Sequence, residues 1–194
     1  MSLPPLPASQ PPDEAMLDQI LVAGPFEFDG RVVIEDYDPR WPELFEREAE
    51  RIRGALGAAA LSVEHVGSTS VPGLAAKPII DVDLIVADST DESAYVPALE
   101  AVGYVLRLRE PDWYEHRMFN GPDTEVNLHV FSPGADEAAR HKVLRDWMRA
   151  HPEDRDLYAR TKQDLAKREW KYMFQYSDAK SAVVGEILKR AGCR

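Results

Sequence analysis

Residues 64–86 read EHVGSTSVPGLAAKPIIDVDLIV, and this stretch decides the fold. Its second half is typical of a buried strand over 78–86, because it is rich in branched apolar residues. Strand side chains alternate between the two faces of a sheet, so Asp81 and Asp83 share one face and the apolar residues fill the other. At a rise of ~3.3 Å per residue the two carboxylates lie about 7 Å apart, a spacing at which they can share divalent ions.

The turn that precedes this strand predicts contact with phosphate. Gly67, Ser68, Thr69 and Ser70 offer backbone N–H groups and hydroxyls that can approach a phosphate closely. Lys77, just before the strand, could neutralise a phosphate charge. Taken alone, the strand is more simply one with a solvent-facing Asp-x-Asp pair, and the turn is more simply an ordinary Ser/Thr turn. Their order and spacing together favour a functional site.

The rest of the pattern predicts an α+β protein with a mixed sheet, helices on one face and a C-terminal helical extension. Residues 1–12 hold five prolines and predict an extended arm, residues 13–135 an α/β core, and residues 136–194 a helical part packed on that core. Strands are predicted at 31–36, 61–67, 78–86, 104–109, 113–119 and 124–131, and helices at 13–22, after Asp38-Pro39, after Ser89 or Thr90, and at 136–150, 153–172 and 178–192.

A third carboxylate beside the two aspartates would come from the strand over 124–131. Glu125, Asn127 and His129 share one face of that strand, and Glu125 is the acid among them, which makes it the catalytic candidate. If Asn127 occupies the position instead, metal affinity falls, because an amide supplies a neutral oxygen. His129 could bind phosphate, act as an acid or base, or bind a metal, or could be an ordinary hydrogen-bonded strand residue.

Two arginines are further candidates for phosphate binding. Arg107 and Arg109 alternate along the predicted strand over 104–109, and arginine meets phosphate in a bidentate fork. They qualify only if their face of the sheet adjoins the aspartates.

Composition excludes several functional classes. The chain of 194 residues has 23 basic and 34 acidic residues, a net charge of −11, which argues against general coating of nucleic acid. Its single cysteine, Cys193, excludes a disulfide framework or a cysteine-based metal cluster. With no membrane-length apolar run and no signal-like start, the sequence predicts a cytoplasmic protein that does not bind membranes.

The string from His65 to Asp81 closely resembles the GrpB family of the nucleotidyltransferase superfamily, whose fold is that of the polymerase-beta type. The resemblance extends over roughly residues 30–192. It implies a nucleotidyltransferase-like fold and, at the C-terminal helices, brings in three further candidates for the phosphate site, namely Arg145, Lys162 and Lys180. Charged helices of this kind more often simply present a solvated face.

Two functions follow as expectations. The first is nucleotidyl transfer to a small-molecule acceptor, with Mg²⁺ or Mn²⁺ held by Asp81 and Asp83 and with the nucleotide phosphates on the Gly67–Ser68 turn. The second is a catalytically inactive module that binds a nucleotide or phosphometabolite on the same fold. A weaker third is protein interaction through the proline-rich arm. The sequence names neither the nucleotide nor the acceptor, and it leaves the oligomeric state open.

Overall fold

A computed structural model describes residues 19–22 and 30–193. The strands are β1 (Ser62–Val66), β2 (Ile80–Ile85), β3 (Val105–Glu110), β4 (His116–Asn120) and β5 (Val126–Phe131). The helices are α1 (Trp41–Leu56), α2 (Val96–Ala101), α3 (Asp136–Ala150), α4 (Pro152–Ala166), α5 (Met173–Ala179) and α6 (Ser181–Arg190), with short 3₁₀ turns at Gly57–Ala59, Ser68–Ser70 and Glu92–Ala94.

The five strands form one mixed sheet in the order β1-β2-β5-β4-β3. The central pair, β2 and β5, is parallel, and the other three pairs are antiparallel. Parallel pairing needs a long crossover connection, and here α2 and the β3–β4 hairpin lie between β2 and β5 in the chain. The crossover brings together strands that lie some forty residues apart in sequence.

Strand alternation gives the sheet two different faces. One face carries the main hydrophobic core, in which Val82, Leu84 and Leu128 pack against the apolar stripe of α1 that includes Phe45 and Ile52. Burying a side chain of this size stabilises the fold by about 1.5–3 kcal/mol. We call the other face, which carries Asp81, Asp83, Asn127 and His129, the site face, and the C-terminal helices approach it. The α+β class and mixed sheet predicted from the sequence are confirmed.

Several predicted element boundaries need correction. Residues 31–36 do not form a strand of the sheet. In this stretch Glu35 makes one isolated bridge, to Ala76. The helix predicted over 153–172 ends at Ala166, and a new helix begins at Met173. The proline-rich arm over 1–12 lies outside the described residues, as does most of the helix predicted at 13–22; within that stretch Leu21 bridges Leu108 on β3.

The described helices are short and rich in charged residues. None of those within residues 19–22 and 30–193 has the length and hydrophobicity that a membrane span requires.

Candidate phosphate-binding site

The Gly67–Ser70 turn lies directly against Asp81. Gly67 has φ +67°, and a Cβ built on it would lie 2.9 Å from Cβ and Cγ of Asp81 and closer still to Oδ2. A residue without a side chain is therefore required at this point, both for its backbone conformation and for the close approach. The turn and the first aspartate of the Asp-x-Asp pair form one unit, as the sequence order predicts.

Two hydroxyls of the turn hold its shape. The Thr69 hydroxyl donates to the carbonyl of Ile79 at 3.0 Å and contacts His65 Nε2 at 3.1 Å. The Ser70 hydroxyl donates to the carbonyl of Gly67 at 2.6 Å. Both side chains are buried, so they position the turn, and the Ser68 hydroxyl is left to contact Lys162.

Asp81 is paired across the sheet with an amide. Asn127 is its register partner on β5 and donates from Nδ2 to Asp81 Oδ1 at 3.1 Å. The Asn127 amide oxygen accepts from Asn120 Nδ2 at 3.3 Å, so Asn127 turns its NH₂ group to the aspartate. Burial raises the pKa of Asp81, while the nearby Lys77 and the Asn127 hydrogen bond oppose the rise. Asp81 thus lies among hydrogen-bond donors and cations.

Asp83 is engaged by a histidine from α3. The carboxylate is 2% exposed, and His141 Nδ1 lies 3.1 Å from Oδ1 and 3.0 Å from Oδ2. Burial lowers the pKa of His141, but the charge and hydrogen bonds of Asp83, with the charges of Glu137 and Asp81, outweigh it and raise the pKa to about 9. His141 is therefore a cation at neutral pH and forms an ion pair with Asp83.

This ion pair predicts a pH-dependent stability. Because the folded pKa of His141 lies above the unfolded value of ~6.5, its contribution is complete below about pH 6.5 and is lost as the pH rises through about 9. We expect the stability advantage of the wild type over His141→Gln to be about 1–3 kcal/mol larger at about pH 6 than at about pH 10. Urea unfolding of both proteins measures it, and a difference that stays constant with pH would contradict the ion pair.

A hydrogen-bonded pair of histidines, His116 and His129, also lies beside Asp83. His116 Nδ1 contacts Glu110 Oε2 at 2.8 Å, and its Nε2 contacts His129 Nδ1 at 3.0 Å. Burial lowers the pKa of both histidines to about 3, so both are neutral. With one proton per ring, His116 donates to Glu110 and accepts from His129. His129, the register partner of Asp83, is thus held in one tautomer.

Three lysines lie near Asp81, and one of them, Lys162, also contacts the turn. Lys162 is 2% exposed and donates to Ser68 Oγ at 2.9 Å and to the carbonyl of Ala75 at 2.6 Å. Burial lowers the pKa of Lys162 to about 7 and that of Lys77 to about 8, and it also lowers the pKa of Lys180. Charge repulsion from Lys180 also lowers the pKa of Lys77 and of Lys162. The carboxylate of Asp81 opposes the lowering of the pKa of all three lysines.

The structure places other predicted site residues elsewhere. Arg109 forms a bidentate pair with Glu92, at 2.7 Å for each bond. Its register partner Arg117 binds the same carboxylate, and the pairing of β4 with β5 puts both arginines on the face opposite Asp81. The condition set for the arginines therefore fails for Arg109. Arg107 lies on the edge strand β3, where its carbonyl accepts from the amide of Val22.

Two other candidates also lie apart from Asp81. Glu125 is exposed and precedes β5, where its carbonyl accepts from the Ile80 amide. The positions beside the aspartates belong to Asn127 and His129, so Glu125 does not occupy the third-carboxylate position predicted for it. Arg145 reaches β1, but it donates to Glu64 Oε2 at 3.0 Å and to the carbonyl of His65 at 2.9 Å.

The contacts of His141 with Asp83 and of His116 with His129 were not predicted. His141 lies 58 residues from Asp83 in sequence, and no ligand spacing links it to another histidine. One signal was available at the helices: a tyrosine four residues before a lysine occurs at Tyr158 and Lys162 and again at Tyr176 and Lys180. Because i and i+4 share a helix face, this repeat predicts two tyrosine–lysine contacts.

The predicted Mg²⁺ is a poor fit to these side chains as they are arranged. Asp83 binds His141 with both oxygens, Asn127 turns its NH₂ group to Asp81, and the third acidic side chain is displaced. Across the part of the chain that the structure describes, no three His, Cys, Asp or Glu side chains are grouped so that they could hold a metal ion. The cations around Asp81 are lysines, and their chemistry suits an anion.

Comparison with known proteins agrees with this fold. The sequence model of the family described as GrpB protein matches residues 31–190. A UPF0157 protein of Halalkalibacterium halodurans is 57% identical over 183 residues, which cover 94% of each chain. The chain belongs to the GrpB family. The crystal structure of the conserved protein GrpB from Enterococcus faecalis matches with a TM-score of 0.72 at 31% identity, covering 82% of this chain and 96% of that one.

The GrpB fold is also similar to that of a nucleotidyltransferase. A structure of Cid1 poly(U) polymerase with Mg and 3′-dATP bound matches with a TM-score of 0.50 at 14% identity. The match covers 69% of this chain and 43% of that one. At this identity the similarity concerns the fold alone, so the GrpB chain is nucleotidyltransferase-like in architecture.

Proposed function

We propose that this GrpB protein binds a nucleotide or a phosphorylated metabolite by its phosphate groups, at the Gly67–Ser68 turn. The observation that carries the proposal is the cluster of Lys77, Lys162 and Lys180, for which Asp81 is the shared acidic neighbour and Glu125 a further one of Lys77 alone. Buried positive charge that is not matched by acidic groups is costly, and an anionic ligand supplies the missing charge. Phosphate oxygens also accept several charge-assisted hydrogen bonds at once.

The position of the lysines supports the same ligand. Lys162 already donates to Ser68 Oγ, so an oxygen bound at the turn lies within the field of its ammonium group. Lys77 and Lys180 are partly exposed and can therefore be reached by a ligand. Gly67 has no side chain to cover the backbone at this point.

Isothermal titration calorimetry with ATP in the presence of EDTA tests the proposal. We expect saturable binding by the wild type and about tenfold weaker binding by Lys77→Met, because one charged contact to phosphate is lost. Lys167→Met is the matched control, since Lys167 is exposed and pairs with Asp164. Absence of binding by the wild type to ATP and to AMP, or equal losses in both variants, would contradict the proposal.

A second candidate function is nucleotidyl transfer to a small-molecule acceptor with Mg²⁺ or Mn²⁺. It is favoured by Asp81 and Asp83 on one face of a nucleotidyltransferase-like fold. Asp81→Asn separates the two candidates. If lysines alone hold the phosphates, removing the negative charge of Asp81 tightens ATP binding. If a divalent ion bridges Asp81 and the phosphates, the variant loses the Mg²⁺ dependence of ATP binding and any pyrophosphate release.

A further inference from the structure

A hydrogen-bonded chain of three side chains, Glu110, His116 and His129, ends on the site face of the sheet. Glu110 ends β3, His116 begins β4 and His129 lies on β5, so three adjacent strands contribute one residue each. His116 Nδ1 lies 2.8 Å from Glu110 Oε2, and His116 Nε2 lies 3.0 Å from His129 Nδ1. The phosphate contacts proposed above involve none of these three residues.

The protons of this chain have one consistent arrangement. Because a carboxylate accepts hydrogen bonds and does not donate them, His116 donates from Nδ1 to Glu110 and accepts at Nε2 from His129 Nδ1. The Nε2 atom of His129 therefore carries a lone pair. This atom makes no hydrogen bond to any residue within the described ranges, so the lone pair is available to a ligand.

The surroundings hold the inner histidine in place and leave the outer one accessible. His116 is buried, the Phe131 ring stacks on it with the centroids 4.8 Å apart, and the Trp113 ring packs perpendicular to it at 5.2 Å. His129 is partly exposed. The Nδ1 side of His129 is thus fixed by the protein, and its Nε2 side is open.

This arrangement is the one by which proteins activate a nucleophile. In such sites the nucleophile lies within hydrogen-bond distance of a base, and a third group orients the base. His129, His116 and Glu110 take these three places. Attack through Nε2 leaves a positive charge on the attacking ring. Transfer of the Nδ1 proton to His116 moves this charge to a position beside the carboxylate of Glu110.

We propose that His129 is a nucleophile that takes up a phosphoryl group at Nε2, with His116 as its base and Glu110 as the residue that positions His116. The Nε2 lone pair forms the P–N bond, the P–O bond of the donor breaks with its electron pair on the leaving oxygen, and the Nδ1 proton passes to His116. The donor is a phosphoanhydride or an acyl phosphate, because its leaving oxygen departs without a proton. This inference adds a covalent step to the proposed function and rests on it for the placement of the donor.

The position of His129 supports delivery of a phosphoryl group from the proposed phosphate site. His129 lies on the same face as Asn127, two residues further along β5, which is about 7 Å at the rise of a strand. The ring centroid of His141, the cation paired with Asp83, lies 5.8 Å from that of His129. A positive charge at this distance attracts the anionic phosphoryl group.

Phosphoramidate, a small phosphoryl donor to imidazole nitrogens, tests the inference on the full chain without a nucleotide. Mass spectrometry of alkaline digests follows the labelling of His129 and of an internal reference, His151, which is also partly exposed and has its Nδ1 bonded to the carbonyl of Trp147. We expect His129 to be labelled at least about tenfold faster than His151, because His151 has no base behind it. ³¹P NMR should find the label of His129 at Nε2, and the preference should disappear in urea-unfolded protein.

Two variants test the chain behind His129. His116→Leu removes the base, and Glu110→Gln keeps the size of the side chain while removing its charge. We expect both to slow the labelling of His129 at least about tenfold and to leave that of His151 within about twofold. The ratio of the two rates is measured within one molecule, so a loss of stability does not imitate this result.

Equal labelling of the two histidines in the wild type, a label at Nδ1 of His129, or an unchanged ratio in either variant would overturn the nucleophile. The proposed function is tested separately by calorimetry with ATP. Failure of the labelling therefore leaves phosphate binding intact. If ATP and AMP do not bind while His129 is labelled as expected, the proposed function fails and the nucleophile stands.

Discussion

Replacing Gly67 by alanine is expected to destabilise the protein by about 2–4 kcal/mol and to weaken phosphate binding more than tenfold. At φ +67° and ψ −171° the backbone lies in a region that is essentially restricted to glycine, so alanine there costs about 1–3 kcal/mol by itself. Its Cβ would also collide with Asp81, so the turn or the aspartate must shift. Because the turn and Asp81 form one unit of the site, a shift of either disturbs the positions of Ser68 and the lysines.

Gly134 provides a matched control for this prediction. It also has a positive φ, +87°, but a Cβ built on it meets nothing within 4 Å. Gly134→Ala therefore measures the cost of a positive φ without a collision, about 1 kcal/mol. Urea unfolding compares this variant with Gly67→Ala, which adds the glycine-only backbone and the contact with Asp81. If Gly67→Ala loses no more stability than Gly134→Ala, the close approach of the turn to Asp81 is not a constraint.

The proximity of the turn to Asp81 could be predicted from the sequence because its determinants are local. Gly67, Ser68 and Asp81 lie within fifteen residues of one another, and strand alternation fixes the common face of Asp81 and Asp83. The family resemblance carried by the same stretch then indicated the fold, which the comparisons confirm. Patterns of this kind need no knowledge of which distant strand comes to lie alongside.

The prediction of Glu125 as the third carboxylate was wrong because the sequence does not fix the register between β2 and β5. Alternation puts Glu125, Asn127 and His129 on one face but does not say which of them meets Asp81, because β2 and β5 are parallel strands 46 residues apart. A register shifted by two residues would have put Glu125 there. The actual register places the amide beside Asp81 and leaves the acid exposed beyond the end of the strand.

The prediction that Arg109 binds phosphate was wrong for a related reason. Alternation along β3 separates two faces without saying which one adjoins the aspartates, and β3 joins the sheet only through β4. The pairing also shifts between Leu106 and Leu108, so counting along the strand does not give the face directly. Arg109 consequently lies on the core side, where Glu92 neutralises it.

Replacing Lys162 by methionine is expected to weaken ATP binding about tenfold or more at neutral pH while changing stability by less than about 2 kcal/mol. Two opposing effects make the stability change small. Methionine removes a buried, poorly solvated ammonium group, which stabilises the fold, but it also leaves Ser68 Oγ and the carbonyl of Ala75 without their donor. A residue that only held the turn in place would give the reverse result, a large loss of stability.

The pH dependence of the same pair of proteins provides an independent check. The pKa of Lys162 is about 7 in the folded protein and ~10.4 in an unfolded chain, so between these values the unfolded state binds more protons. The wild type must therefore gain stability relative to Lys162→Met as the pH rises from about 7 to about 10. This slope has the opposite sign to the one expected for His141, and each variant isolates its own contribution. A flat difference between wild type and Lys162→Met, with unchanged ATP affinity, would mean that Lys162 is an ordinary charged lysine and that the anion site lies elsewhere.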